Sequence, residues 1–310
     1  MQFAFTVLCA AVAGLLAAEG ILRLRDIADP PAFAENPQYG FLMRGNQTVS
    51  TRGYRFNINK FGLRGRDFAM PKPAGIYRIA FLGDSIPYGG GAVKDPDLFV
   101  NVVASRVQVP ADRRAEAINM SAPGWGIKNI ASYVDSVGLY DADLVVWVVP
   151  VDDFRRLQTS LRDYPGFPLL KPRLRLGSLF KAGLSQLARR LRQPEDNQGD
   201  TEESSETLTQ NLQTLKRMVG QIKERGMPVL VVLVPPENGY EPASDGDAFR
   251  ATVAACSVPL LDLAPNLQGH PEYFIDQVHL STAGHRLVGE TIADCLKGVP
   301  LLRPDNERHS

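Results

Sequence analysis

Five short apolar runs, at residues 77–82, 116–120, 144–149, 229–234 and 260–263, constrain the fold of this 310-residue chain more than any other feature. Each has strand length, and the runs at 144–149 and 229–234 carry no polar residue that a water-facing side would need. Such runs belong to strands covered on both faces, as in a parallel sheet. Between them, Leu208, Leu212, Leu215, Val219 and Ile222 recur in steps of four and three, which places one apolar stripe of a helix against a sheet, and Gly226 stops that helix. A last helix, over residues 282–296, turns Leu287, Val288, Ile292 and Leu296 inward. The alternation predicts an α/β fold, a three-layer α/β/α domain on a five-stranded parallel sheet, with functional residues at the carboxyl ends of the strands.

The surrounding chain is less regular. Residues 26–76 read as a linker and extension. They open on a Pro-rich stretch at Asp29, Pro30 and Pro31, and the alternation of Tyr54, Phe56 and Ile58 predicts a short strand, followed by a turn at 61–65. Residues 155–192 are rich in Arg and Lys and contain an amphipathic segment at 179–191, and the acidic run at 195–206 predicts a flexible surface loop. This insertion, at about 155–206, has two readings: a solvated basic face, which is favoured, or a lid or surface against anionic lipid headgroups. The expected boundaries are an anchor at 1–25, the extension at 26–76, the main domain at 77–298 and a tail at 299–310.

Residues 3–22 are apolar except for Glu19 and are long enough to cross a bilayer as a helix. No Lys or Arg precedes the run and no small-x-small site follows it, so it reads as an uncleaved single-pass signal anchor rather than a removed signal peptide. Leu8 is too large for the position before a lipidated Cys9. Arg23 and Arg25 follow the span and, by the positive-inside rule, would keep the domain cytoplasmic. Cys256 and Cys295 are expected as two separate thiols rather than a disulfide. Lys plus Arg and Asp plus Glu both number 34, so no net field recruits nucleic acid, and no nucleic-acid partner is expected.

Chemistry concentrates in two places. The apolar run at 77–82 ends in Gly83-Asp84-Ser85 and leads to Gly89, Gly90 and Gly91. A serine at the end of a parallel strand exposes its hydroxyl in the crevice, although a strand-ending serine is commonly a helix cap. Far downstream, Asp276 stands three residues before His279, just ahead of the last helix. A serine hydroxyl at neutral pH needs a base, imidazole suits the task, and a carboxylate on the other ring nitrogen fixes its tautomer. Of the remaining histidines, His309 is in the polar tail, His270 in a polar loop, and His285 within the last helix. No Cys/His cluster has zinc spacing, and the glycine run lacks the Lys of a phosphate loop, so no metal or cofactor is expected.

Over residues 77–296 these motifs resemble the SGNH hydrolases of the GDSL superfamily, of the membrane-anchored bacterial type, whose fold is flavodoxin-like. Gly83-Asp84-Ser85 is similar to the first block of that family and Asp276-Gln277-Val278-His279 to the last. Asn119 to Gly124 resembles the second block, whose Gly donates an N–H to the oxyanion. The third block, Gly-x-Asn-Asp, corresponds to Pro150-Val151-Asp152-Asp153, so Asp152 stands where the oxyanion-binding Asn is usual.

The resemblance implies a serine esterase with Ser85 as nucleophile, His279 as base and Asp276 as its partner, and an oxyanion hole at Ser85, Gly124 and Asp152. A carboxyl at 152 kept protonated by burial and by Asp153 would donate a hydrogen bond there, and Asp152→Asn is then expected to raise esterase activity. The implied substrates are an O-acyl group of a cell-envelope carbohydrate or a lipid ester. An O-acyltransferase using the same residues, or a weak or silent binding domain, are the alternatives. Arg64, in a segment similar to one that precedes the catalytic domain in anchored members, has two readings: reaching the substrate cleft or, the favoured one, anchoring the extension to the domain. Anchored relatives also imply an extracytoplasmic domain, against the reading of Arg23 and Arg25.

Overall fold

A computed structural model of the protein describes residues 2–51, 53–90, 93–191, 200–239 and 243–298. The expected tail at 299–310, with His309, lies outside the described residues, as do Gly91 and residues 195–199 of the acidic run. The first element, α1 (Gln2–Leu24), is long and apolar enough to cross a membrane. After it the extension folds into two antiparallel hairpins, β1 (Phe33–Asn36) with β2 (Gly40–Met43) and β3 (Gln47–Thr51) with β4 (Tyr54–Ile58). The sequence pattern shows β4 alone. Phe33 and Phe41 gain their burial from distant partners, Phe33 stacking on Phe167 with ring centroids 4.3 Å apart, and such tertiary packing is invisible to local periodicity.

The main sheet comprises β5 (Ile76–Gly83), β6 (Arg114–Ser121), β7 (Leu144–Pro150), β8 (Val229–Val234) and β9 (Leu260–Asp262), all parallel, in the order β6-β5-β7-β8-β9. Its linking helices are α2 (Ser85–Tyr88), α3 (Phe99–Arg106), α4 (Ile127–Val137), α5 (Arg175–Leu191), α6 (Asp200–Glu224), α7 (Ala243–Ala255), α8 (Ala264–Leu267) and α9 (Thr282–Gly298). The expected three-layer α/β/α architecture is present. Central β7 is fully buried from Leu144 through Val149, and each Val or Leu so enclosed contributes roughly 1.5–3 kcal/mol. Alternate side chains divide between the faces. Ala80, Leu82, Trp147, Val149 and Val231 pack with α4, α6 and the extension, while Ile79, Phe81, Val146, Val148 and Val232 pack with α3 and α9. The chain runs from β5 to β6 on one side and then returns past β5 to β7. The carboxyl end of β5 therefore lies at the switch in strand order, where open α/β sheets leave a crevice.

Three expectations change or sharpen. Residues 200–206 of the acidic run belong to α6 and are not loop; an acidic stretch at a helix start complements the helix dipole. Arg64 is buried and donates to the carbonyls of Tyr88 and Val93, both at 2.7 Å, and to Asp95, with its guanidinium 4.0 Å from the Phe56 ring centroid. It pins the extension to the main domain rather than entering the cleft. Cys256 and Cys295 are free thiols.

Candidate active site

Strand β5 delivers Ser85 to the crevice through a turn that only a small residue permits. A Cβ on Gly83 would lie 2.4 Å from Pro87 Cγ and 3.0 Å from the Val148 carbonyl. Asp84 caps α2, its Oδ1 accepting the Ile86 N–H at 2.9 Å. The capping task that a strand-ending serine commonly performs thus falls to Asp84, which leaves the Ser85 hydroxyl for other partners.

One partner comes from the opposite end of the sequence. In the loop before α9, Phe274 bridges Leu280 and the Ile275 N–H donates to the His279 carbonyl at 2.9 Å, folding residues 275–279 into a tight excursion. At its tip Asp276 Oδ1 accepts the N–H groups of Val278 and His279, at 3.1 and 2.8 Å, and the His279 Nδ1 lies 3.0 and 2.9 Å from the two carboxylate oxygens. Partial burial raises the Asp276 pKa, but the two backbone donors and the imidazole outweigh it and hold the carboxyl below its ordinary value. An ionised acceptor on Nδ1 places the imidazole proton there. His279 Nε2 is then an acceptor, 3.0 Å from Ser85 Oγ. Ser85 Oγ also lies 3.3 Å from Asp84 Oδ2, a longer alternative for its single proton. His285 is buried against Phe99, and desolvation, aided by the positive charge of Arg64, depresses its pKa to about 3. His270 is exposed and pairs with Glu272.

The oxyanion candidates separate. Gly124 adopts φ +86°, and a Cβ there would lie 2.3 Å from the Tyr164 ring, so conformation and space both require glycine. Its carbonyl accepts from Thr159 Oγ1 at 2.8 Å and from the Tyr164 hydroxyl at 3.0 Å, which holds the loop rigid. The burial expected of Asp152 is found one residue later. Asp152 is exposed and has no hydrogen bond or ion pair among the described residues, whereas Asp153 is fully buried. The turn after β7 (Val151–Asp153) points the second carboxylate inward and the first to water. A solvated carboxylate is strongly screened, so Asp152→Asn is now expected to raise turnover by no more than about fivefold, measured as kcat on an aryl ester. Desolvation, with Asp84 and Asp152 adding repulsion, drives the Asp153 pKa well above its ordinary range, and desolvation also raises that of Asp84. Arg156 acts against both shifts, with its Nε 3.2 Å from Asp153 Oδ1.

Residues 81–287 match the GDSL-like Lipase/Acylhydrolase family. The chain belongs to that family. No curated protein matches it. Among solved structures it is similar to TesA, at 18% identity over 73% of this chain and 99% of that one, with a TM-score of 0.47. An acetylxylan esterase from Geobacillus stearothermophilus is similar at 16% identity over 76% and 99%, with a TM-score of 0.46. A lipolytic protein of the G-D-S-L family from Desulfitobacterium hafniense is similar at 14% identity over 70% and 98%, with a TM-score of 0.43.

In this GDSL-like family member, Ser85 and His279 open onto a cavity of about 270 Å³. Its apolar walls come from two segments: Pro30, Phe33, Val49 and Phe56 from the extension, which lies outside the matched region, and Phe167 and Pro168 from the insertion within it. Pro123, beside Gly124, also lines it; Asp152 does not. The sequence pattern presents the extension as a linker and does not mark these wall residues, nor Thr159, Tyr164 and Arg156. The signal available was the aromatic content of residues 33–56 and 164–167, too many rings for a solvated tether.

Proposed function

We propose that the protein is a membrane-anchored serine esterase whose cavity takes an apolar acyl group. The observation that carries this reading is the hydrogen-bonded chain from Asp276 through His279 to Ser85, placed at the mouth of an apolar cavity. Ser85 Oγ attacks the ester carbonyl as its proton passes to His279 Nε2. The imidazolium is stabilised by Asp276 and returns the proton to the departing alcohol, and water then releases the acid by the reverse sequence. The N–H groups of Ser85 and Gly124 are the proposed oxyanion donors. Family membership supports ester hydrolysis in general, and the substrate is proposed from the cavity: an ester of a cell-envelope carbohydrate or lipid that presents an apolar acyl group. We place the domain on the outer side of the membrane, as in anchored relatives; a reporter fused after Ser310 that is active only in the cytoplasm would reverse this.

The experiment is covalent labelling of the full chain by a fluorophosphonate, with Ser85→Ala beside the parent. Labelling that depends on Ser85 supports the esterase, and its absence at every pH from acid to alkaline favours a silent domain. The cavity also predicts a preference. Each methylene buried adds about 0.8 kcal/mol, so kcat/KM over a series of p-nitrophenyl esters should climb about fourfold per added carbon until the cavity is filled. A flat series would mean that the acyl group does not enter the cavity.

A further inference from the structure

The insertion carries a surface that esterase chemistry does not use. Leu169, Leu170 and Leu174 are exposed just beyond the cavity wall at Pro168, and the exposure continues along α5 at Leu179, Phe180 and Leu184. Phe180 leaves 71% of its surface uncovered and Leu170 leaves 75%. Contiguous exposed apolar residues of this size mark a surface meant to be covered.

The start of α5 is fastened to the end of α1. Glu19, the only charge within the apolar run of α1, accepts the backbone N–H groups of Arg175 and Leu176 at 3.1 and 3.0 Å. It satisfies two of the donors that a helix start leaves open. Arg175 in return donates to the carbonyls of Leu22 at 2.8 Å and Ile27 at 3.3 Å, at the exit of α1, and lies 3.4 Å from Asp29. Glu19 and Arg175 are both buried by this exchange.

We propose that residues 169–174 and α5 form a second membrane contact, a helix lying in the headgroup layer of an anionic bilayer and clamped to the end of α1 by Glu19 and Arg175. The proposal rests on the reading of α1 as a membrane span and is independent of the chemistry at Ser85. Glu19 lies five residues before the end of α1, about 7.5 Å along a helix axis, which sets the start of α5 at the depth of the interface. With 17 residues, α5 is about 26 Å long, short of the roughly 30 Å hydrocarbon core. Residues 171–190, which include the start and most of α5, hold Lys171, Arg173, Arg175, Lys181, Arg189 and Arg190 and no acid between them. A short helix with an apolar face and a basic composition lies on a bilayer rather than crossing it. One wall of the cavity is thereby tied to the bilayer from two sides, through Pro30 and Pro31 from α1 and through Gly166 to Pro168 from the α5 side.

The test uses the full chain in vesicles of phosphatidylethanolamine and phosphatidylglycerol, with tryptophans introduced one at a time. Trp125 and Trp147 are buried, so the parent supplies a constant background. Phe180→Trp should lose emission to lipids brominated near the headgroup, as should Leu184→Trp if the first variant folds poorly. Asp294→Trp, exposed on α9 across the sheet from the extension, should not. Val12→Trp, within α1, should be quenched by lipids brominated deep in the chain. Quenching at 12 without quenching at 180 and 184 overturns the proposal alone. Quenching at neither overturns the anchor as well. A blue shift at 180 without quenching means that protein covers the face, and this too overturns it.

Discussion

Ser85→Ala and His279→Ala are each expected to lower kcat on an aryl ester by about ten-thousandfold or more, and the double variant to lose no further activity than either alone. The reason is the 3.0 Å contact between His279 Nε2 and Ser85 Oγ. A base without its nucleophile and a nucleophile without its base are equally idle, so their free energies do not add. Asp276→Asn should fall by a similar order. An amide donating to Nδ1 moves the imidazole proton to Nε2, the atom that must accept. KM should move little in all of these variants, because the apolar walls from the extension and the insertion are untouched. A double variant that loses roughly the product of the single losses would show two groups acting separately, and would sink the assignment of this contact to the chemistry.

The parts of this molecule legible in the sequence are those determined locally. A run such as residues 144–149 has no polar residue to face water, so its burial on both sides follows from composition. Asp276 and His279 lie within one loop, and three-residue spacing suffices to bring carboxylate and imidazole together. Ser85 and His279 are 194 residues apart, and only the order of strands in the sheet makes them neighbours. The extension was illegible for a different reason. Its hairpins are short, and the first is held by residues far away in sequence: Trp125 Nε1 donates to the Phe41 carbonyl at 2.8 Å and Asn129 donates to the Tyr39 carbonyl at 3.0 Å. Nor does sequence tell which of two adjacent acids turns inward. Asp152 and Asp153 are chemically identical, and the turn after β7 alone sends Asp153 into the core.

Arg156→Met is expected to destabilise the fold by about 3–5 kcal/mol, the range for stripping the partner from a buried ion pair. Both Asp153 oxygens lack a hydrogen bond among the described residues, and Asp84 adds a second buried carboxyl that repels it. Arg156 is the cation that offsets both. Methionine retains much of the arginine's apolar stem, so the loss reports charge rather than packing. The pH dependence has a definite sign. Folding raises both carboxyl pKa values above the ordinary 3.8, so the folded state binds more protons than the unfolded state in the window above that value. Stability therefore falls as pH rises through the window. Removing Arg156 raises both values further, so the gap in thermal midpoint between variant and parent should widen as pH rises past the parent's already raised carboxyl values. Adding Asp153→Asn to Arg156→Met should recover part of the loss and flatten its pH dependence, because an amide of the same shape carries no charge to desolvate. An Arg156→Met protein as stable as the parent at neutral pH would mean that the two acids fold uncharged without help from the guanidinium.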